Sequence, residues 1–383
     1  MRGPSSVRLV GVACALSGVA CGGSSSPAAG VDASIEATAP HQESGAPDVS
    51  TVDAGALDGG DGAIDCGIDV AGGLLPLVTS VAAAMRATGG AGSDVLAVPS
   101  TAARDAFAQT VYGALAGDAA AACALPPSYR LVRMVDPTAG PLFVVAEVNA
   151  AGQPSPALYY GTFAAPQAVR SPSRALVIEA PHPLFDISTE LQATDIFVKS
   201  GARYLLVAGA DRCADPDASA CSGTTTACAA SGSIAYRVSD AAHEDDLPFQ
   251  GLHILISDGD ASLLFLQLHG NGEPCPDALV SDCSGTWSAT DPAGMLASSL
   301  MAGGVSIGEC GAGYPTSACD LCGTDNVQAR YTAGSAAACT TLGAHYGRFV
   351  HVEQQLALRQ APDGGVGGWQ PMIDAVDAVF PAQ

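Results

Sequence analysis

The amino-acid sequence predicts an α/β fold in which a mixed, largely parallel sheet is flanked by helices. Beyond about residue 175, short apolar runs alternate with segments of helical periodicity, a pattern typical of a sheet covered by helices. The chain has 383 residues, enough for one large domain after its N-terminal segments are set aside. Its 13 cysteines, most of them in loop-like segments, further predict that disulfides staple the loops.

The first part of the domain, residues 68–170, is predicted as a layer of helix and hairpin. Apolar residues recur every three or four positions in 97–121, which predicts a helix capped by Ser100 or Thr101. The spacing of the apolar residues then changes from that of helices to that of strands. Three short runs rich in β-forming residues follow, separated by turn residues: 129–135, 141–148 and 157–162.

The rest of the domain is predicted to alternate strands with helices. We place strands where apolar runs are short, and helices where apolar residues repeat at helical spacing. In chain order these are strand 175–180, helix 189–200, strand 204–208, helix 243–255, strand 263–268, strand 349–352, a helix-like segment ending near Arg359, and helix 369–379.

The N-terminus has the features of an export signal. Arg2 and Arg8 precede an apolar stretch, residues 9–20, that is too short to span a membrane. Small residues before Cys21, with glycines and serines after it, resemble the lipobox of bacterial lipoproteins; Cys14 is a weaker alternative. We therefore expect residues 1–21 to be a lipoprotein-type signal peptide ending at a lipidated cysteine. The protein would then be attached to the bacterial cell envelope, at the outer membrane or cell surface.

Residues 22–67 are predicted as a disordered tether, followed by a single domain over 68–383. The segment is rich in Ala, Gly, Ser and Asp and has no Lys or Arg, so it buries too little apolar surface to fold. The whole chain carries 15 basic against 38 acidic residues, a net charge of -23. Nucleic acid is excluded as a partner, because backbone binding needs clustered cations. Contact with a membrane is expected only through the lipid anchor.

Eleven cysteines remain after the signal, which predicts five disulfides and one unpaired thiol in an exported protein. Cys66 or Cys123 is the expected unpaired thiol. A zinc ribbon built on Cys319 and Cys322 is the alternative, but only one such closely spaced pair occurs.

Candidate functional residues follow the predicted strands, where the ligands of open α/β sheets bind. His182 and Asp186 come after the strand at 175–180, His269 ends the strand at 263–268, and Glu353 ends the last strand. Arg212 follows the strand at 204–208. Two histidines and one carboxylate with an open fourth position make a catalytic zinc site, so His182, Asp186 and His269 are a candidate set.

The order of these motifs resembles the zinc-dependent N-formylglutamate amidohydrolase and poly-γ-glutamate hydrolase group, of phosphorylase/hydrolase-like fold, over about residues 175–360. The resemblance implies that His182, Asp186 and His269 bind zinc. It also implies that Glu353 is the general acid and base and that Arg359 anchors or orients the substrate.

The sequence leaves open the third zinc ligand and the roles of Arg212 and His351. Asp186 stands where the family has Glu, so Glu190 or His243 is an alternative third zinc ligand. Arg212 either pairs with a nearby aspartate or clamps a substrate carboxylate. His351 alternates with Val352 and shares a face of its strand with Glu353, which makes it a candidate neighbour of the site.

These residues predict an exported zinc amidohydrolase. Glu353 would help to deprotonate the attacking water, while zinc and Arg212 or Arg359 stabilise the oxyanion. The expected substrate is a carboxylate-bearing peptide or an N-acyl amino acid, and not a long polyanion, since the protein is itself acidic. The alternative is a cell-surface binding lipoprotein that keeps the hydrolase-like sheet without catalysis.

Overall fold

The structure is a computed structural model that describes residues 66–272, 274–316, 318–362 and 367–382. Contacts between Cα atoms divide the chain into Met1–Gly60 and Asp61–Gln383, and all described residues belong to the second unit. The predicted signal peptide, its lipidation site and the tether up to residue 65 lie outside the described residues. Only the last two residues of the predicted tether, Cys66 and Gly67, are described.

A ten-stranded sheet forms the centre of this unit, in the spatial order β1-β2-β3-β4-β6-β5-β9-β12-β10-β11. A separate ribbon pairs the remaining two strands, β7 and β8. The strands are β1 (Gly67–Asp69), β2 (Tyr129–Asp136), β3 (Gly140–Glu147), β4 (Thr162–Pro166), β5 (Arg174–Ala180), β6 (Ala202–Val207), β7 (Thr224–Thr225), β8 (Ile234–Ala235), β9 (Leu264–Gly270), β10 (Ala278–Ser281), β11 (Ile307–Glu309) and β12 (Phe349–Gln354).

The middle of the sheet is parallel and its flanks are mixed. Strands β6, β5, β9 and β12 run parallel to one another, whereas β2, β3 and β4 form an antiparallel meander. The central strands are buried on both faces, which is why they appear in the sequence as continuous apolar runs. The predicted α/β class, with a mixed sheet and flanking helices, is confirmed.

Helices pack in two groups against this sheet. One group contains α1, α4, α6 and α9, with α4 lying against β5 and β6 and α6 against β10. The other contains α2, α5 and α7. The helices are α1 (Leu74–Thr88), α2 (Thr101–Leu115), α3 (Ala119–Ala124), α4 (Thr189–Ser200), α5 (Pro248–Gly259), α6 (Pro292–Ala302), α7 (Val327–Thr332), α8 (Leu356–Arg359) and α9 (Gln370–Val379).

Some predicted elements have different boundaries in the structure. The helix expected over 97–121 is two helices, because the side chain of Asp118 accepts from the backbone N–H of Ala120 and begins α3. Ser100, not Thr101, caps α2 by accepting from Ala103 N–H. The helix expected over 243–255 begins only at Pro248, and proline at the first helical position explains that start.

Two further differences concern elements outside these helices. The strand expected over 157–162 lies instead at Thr162–Pro166. Helices α1 and α6 and strands β10 and β11 were not predicted. Among the described residues, no helix is both long and apolar enough to cross a membrane.

Five disulfides link the loops, as predicted, and this number is compatible with an exported protein. The predicted unpaired thiol was wrong, because Cys66 and Cys123 are bonded to each other and the free cysteine among the described residues is the buried Cys283. Packing of α3 against β1 brings the first two together. The bonds are Cys66–Cys123, Cys213–Cys228, Cys221–Cys339, Cys275–Cys319 and Cys310–Cys322. Cys319 and Cys322 therefore belong to two different disulfides, which excludes the zinc ribbon.

Candidate metal centre

The candidate site lies where the parallel strands β5, β9 and β12 end. His269 is the last residue but one of β9, and Glu353 lies beside it on β12 in direct register. His182 follows β5 by two residues. The residues after His182 form a helical turn, in which the backbone N–H of Asp186 donates to the carbonyl of His182 at 2.7 Å. This turn places the side chain of Asp186 on the same side as that of His182. The fold thus gathers residues that are far apart in the sequence.

Three ligand-type atoms meet at this point. The Nδ1 atoms of His182 and His269 are 3.2 Å apart. Asp186 Oδ2 lies 3.3 Å from His182 Nδ1 and 3.8 Å from His269 Nδ1. All three residues are buried. The histidines and the carboxylate that were selected from the sequence therefore face one another.

Asp240 forms a hydrogen bond with Nε2 of His182, the ring nitrogen that faces away from the cluster. Its Oδ1 accepts from His182 Nε2 at 2.7 Å, and its Oδ2 accepts from Arg212 Nη2 at 2.6 Å. Because a carboxylate only accepts, His182 carries its proton on Nε2 and turns Nδ1 inward as a lone pair. A histidine that donates its outer N–H to a carboxylate is typical of metal sites.

His269 shows the same division between its two nitrogens. Its Nε2 lies 2.7 Å from Gln267 Oε1, which accepts the N–H, so that Nδ1 again faces the centre. Three atoms that can each offer a lone pair to a cation thus meet here: His182 Nδ1, His269 Nδ1 and Asp186 Oδ2.

This donor set fits a divalent cation. Ligand atoms about 2 Å from a tetrahedral zinc are roughly 3.3 Å from one another, close to the spacing of His182 Nδ1 and its two neighbours. Asp186 Oδ2 is buried and accepts no hydrogen bond within the protein, which is unusual for a carboxylate oxygen. The residues present therefore fit a metal ion of the zinc type.

The surroundings of His182 and His269 act on the two imidazoles in opposite directions. Burial and Arg212 lower the pKa of His182, but Asp240 and Asp186 outweigh them, so that its pKa is raised above the usual value. Burial, followed by the neighbouring His351 and His182, lowers the pKa of His269 well below the usual value. The protein surroundings thus favour the charged form of His182 and disfavour that of His269.

Asp240 itself is strongly acidic. Burial opposes its charge, but Arg212, His243 and His182 together hold the pKa of this carboxyl well below its usual range. The carboxylate is therefore ionised when it orients His182. Sequence reasoning missed this role, because 58 residues separate Asp240 from His182.

Glu353 stands at the edge of the three-atom cluster. Its Oε1 lies 3.9 Å from His269 Nδ1 and 3.5 Å from His351 Nε2. Its side chain is largely buried and keeps 11% exposure. His351 packs against the ring of His269 at 4.5 Å between centroids, and its buried Nδ1 has no hydrogen-bond partner within the protein.

Arg359 lies against Gly270, the residue that follows His269. Its Nε and Nη1 donate to the carbonyls of Gln354 and Ile187, and its guanidinium covers Gly270, where a Cβ would fall 2.3 Å from Cζ. Burial lowers the pKa of this arginine. Within the described residues, no carboxylate lies at salt-bridge distance from it. Its charge is thus held near the site without a direct counter-ion.

The other candidate residues have partners elsewhere. Arg212 pairs with Asp240 and not with the nearby aspartates considered from the sequence, and it lies over the ring of Phe185. Glu190 pairs with Arg86 at 3.2 Å. His243 is in the turn before α5, where its Nδ1 lies 2.9 Å from Asp240 Oδ1 and its ring stacks on Tyr236.

Comparisons with known proteins add little to this geometry. No family model matches the chain. No curated protein matches it either. An N-formylglutamate amidohydrolase from Ralstonia eutropha JMP134 is similar in structure, with 13% identity and a TM-score of 0.30, covering 54% of this chain and 91% of that one. A succinylglutamate desuccinalase from Vibrio parahaemolyticus has 9% identity and a TM-score of 0.29, covering 66% and 75%. At such scores neither likeness carries an argument about function.

Proposed function

We propose that the protein is an exported, zinc-dependent amidohydrolase that cleaves an amide bond in a carboxylate-bearing peptide or N-acyl amino acid. The observation that supports this most directly is the cluster of His182 Nδ1, His269 Nδ1 and Asp186 Oδ2, three acceptors within 3.8 Å of one another and without an internal donor. Such a cluster is costly unless a positive charge occupies it. It also lies at the edge of an α/β sheet where substrates bind.

His182, His269 and Asp186 would hold the zinc ion. Of the three alternatives for the third ligand, Asp186 is the one that lies beside both imidazoles, whereas Glu190 and His243 are engaged with Arg86 and Asp240. When bound, a zinc ion polarises a carbonyl and makes water a stronger nucleophile at neutral pH. Asp240 and Gln267 keep the two imidazoles turned toward the ion.

Glu353 would move the protons of the reaction. Its Oε1 lies 3.9 Å from His269 Nδ1, beside the three-atom cluster, so it would accept a proton from the attacking water. The same oxygen can then return that proton to the leaving nitrogen, which leaves an amine and a carboxylic acid as products. His351, at 3.5 Å from this oxygen, would steady the carboxyl group between the two steps.

Arg359 would recognise the carboxylate of the substrate. Two of its nitrogens are fixed by backbone carbonyls, so the guanidinium is held in place, and its charge has no direct counter-ion among the described residues. An arginine held in this way suits a carboxylate ligand. Arg212 is already paired with Asp240, so we assign it to the support of His182 and not to substrate binding.

The cellular setting is part of the proposal. The charged and apolar N-terminus suits export, and Cys21 suits attachment of lipid at the bacterial cell envelope, with residues 22–67 as the tether. Five disulfides fit the same oxidising compartment.

The proposal is tested by assaying the full-length, oxidatively folded protein against a panel of N-acyl amino acids and short peptides. We expect hydrolysis of carboxylate-bearing amides that stops on removal of metal by a chelator and returns on addition of zinc. A protein that binds zinc and such ligands but hydrolyses none of them would instead be the binding lipoprotein. Hydrolysis that is indifferent to chelation would contradict the proposal.

A further inference from the structure

The side-chain amide of Gln267 decides which nitrogen of His269 carries the proton. Gln267 is buried two residues before His269 on β9, with Oε1 at 2.7 Å from His269 Nε2. Unlike the carboxylate that faces His182, an amide can present either an acceptor or a donor. If the amide were reversed, its NH2 group would face Nε2, and the proton of His269 would move to Nδ1. The orientation of Gln267 therefore needs a cause of its own.

One cause is Asn326, the N-cap residue of α7. Its Oδ1 accepts from the backbone N–H of Ala329 at 2.9 Å. A backbone N–H can only donate, so the oxygen of Asn326 is fixed toward the helix. Its Nδ2 must then donate in the other direction, to Gln267 Oε1. The cap of α7 thus requires an oxygen at that end of Gln267.

A second cause, independent of the first, acts at the other end of the Gln267 amide. Gln328 Nε2 donates to the backbone carbonyl of Ala241 at 2.8 Å, and a carbonyl can only accept. Gln328 Oε1 must therefore face Gln267, where it accepts from Nε2 at 3.2 Å. Glu179 Oε2 accepts from the same nitrogen at 2.9 Å. The two backbone groups, acting through Asn326 and Gln328, and the Glu179 side chain thus favour the same orientation of Gln267.

We propose that Asn326 and Gln328, acting through Gln267, are positioning residues that set the Nε2–H tautomer of His269 and leave its Nδ1 free to bind the metal. The tautomer follows from the hydrogen bonds alone, while its use in metal binding rests on the proposed function. Neither Asn326 nor Gln328 touches the three-atom cluster. Their effect is transmitted only by the direction of the Gln267 amide.

The test compares two substitutions at the cap. Asn326→Asp keeps an acceptor for Ala329 N–H but replaces the NH2 group that faces Gln267 by a second oxygen, which favours reversal of the Gln267 amide. Asn326→Ser also caps helices well and places no acceptor against Gln267, so it is the matched control. Both are made in the full chain.

Two readouts are measured on each protein. Long-range 1H–15N spectra of the metal-free protein give the tautomer of His269, and competition with a chelator gives the affinity for zinc. We expect Nε2–H in the wild type and in Asn326→Ser. In Asn326→Asp we expect a shift toward Nδ1–H and a loss of zinc affinity of about ten- to a hundredfold, the size of effect typical of outer hydrogen-bonding partners.

An Nδ1–H tautomer in the wild type would overturn the inference without any variant. So would a folded Asn326→Asp protein that keeps both the wild-type tautomer and the wild-type affinity. If the wild type shows Nε2–H but takes up no zinc, the proposed function fails while the assignment of the positioning residues stands. The two failures are thus distinguishable.

Discussion

The Nδ1 atoms of His182 and His269 lie 3.2 Å apart, although 87 residues separate them in the chain. Each ring donates the N–H of its other nitrogen to an oxygen. His182 donates to Asp240 and His269 donates to Gln267. The two rings therefore turn lone pairs toward each other and toward Asp186. This arrangement makes the end of the parallel sheet a site for a positive charge.

Asp240→Asn is expected to weaken zinc binding by about ten- to a hundredfold, because the amide no longer obliges His182 to carry its proton on Nε2. The change also leaves Arg212 without its buried counter-ion. Chelator competition measures the affinity. Asp320→Asn, at an exposed carboxylate, is the control and should change nothing. Equal affinities in the two variants would show that Asp240 does not support the site.

Glu353→Gln is expected to lower the rate of amide hydrolysis by about 10² to 10⁴ fold while zinc remains bound, because the amide cannot accept the proton of water. Steady-state kinetics and metal content are measured on the same preparation. Glu309→Gln, on the edge strand β11 two strands away, serves as the control. If Glu353→Gln hydrolyses amides at the wild-type rate, another group is the base.

Arg359→Met is expected to lower kcat/KM for carboxylate-bearing substrates by about ten- to a hundredfold, which corresponds to the loss of a charged hydrogen bond. The matched comparison is the same substrate with its carboxylate converted to a methyl ester, on which wild type and variant should act alike. An equal loss on both substrates would mean that Arg359 supports the fold and does not recognise the carboxylate.

Removal of the Cys221–Cys339 disulfide by a double change to serine is expected to lower the free energy of unfolding by about 2–5 kcal/mol. This bond links segments 118 residues apart, so the unfolded chain gains much freedom without it. Urea denaturation measures the change. Cys283→Ser removes the free thiol among the described cysteines and should have a smaller effect. A double variant as stable as the wild type would contradict this expectation.

The central strands could be predicted because burial on both faces gives them an uninterrupted apolar sequence, as in β5 and β9. Their register placed His269 beside Glu353 and could not be obtained from one sequence. Strand β10 and the edge strand β11 have only 4 and 3 residues and lie in loop-like surroundings, so no period was visible. The buried residues of helix α1 recur every three or four positions, so its helical period was present in the sequence and was overlooked.

Only the part of the candidate site that has a local signal in the sequence could be predicted. His182, Asp186 and His269 follow apolar strands, which is a local signal. The support given by Asp240 to His182 spans 58 residues and depends on how a loop folds back, so no spacing indicates it. His243 was expected to share a helix with His253, but Pro248 begins that helix and leaves His243 in the turn before it.

Zinc binding at this site is tested by the zinc content of the purified full-length protein, with His269→Ala and a variant of the exposed His345, His345→Ala, measured beside it. We predict about one zinc ion per chain in the wild type and in His345→Ala, and nearly none in His269→Ala, which lacks a ligand. A wild-type protein that takes up no zinc at neutral pH, or a His269→Ala variant that retains it, would contradict the account.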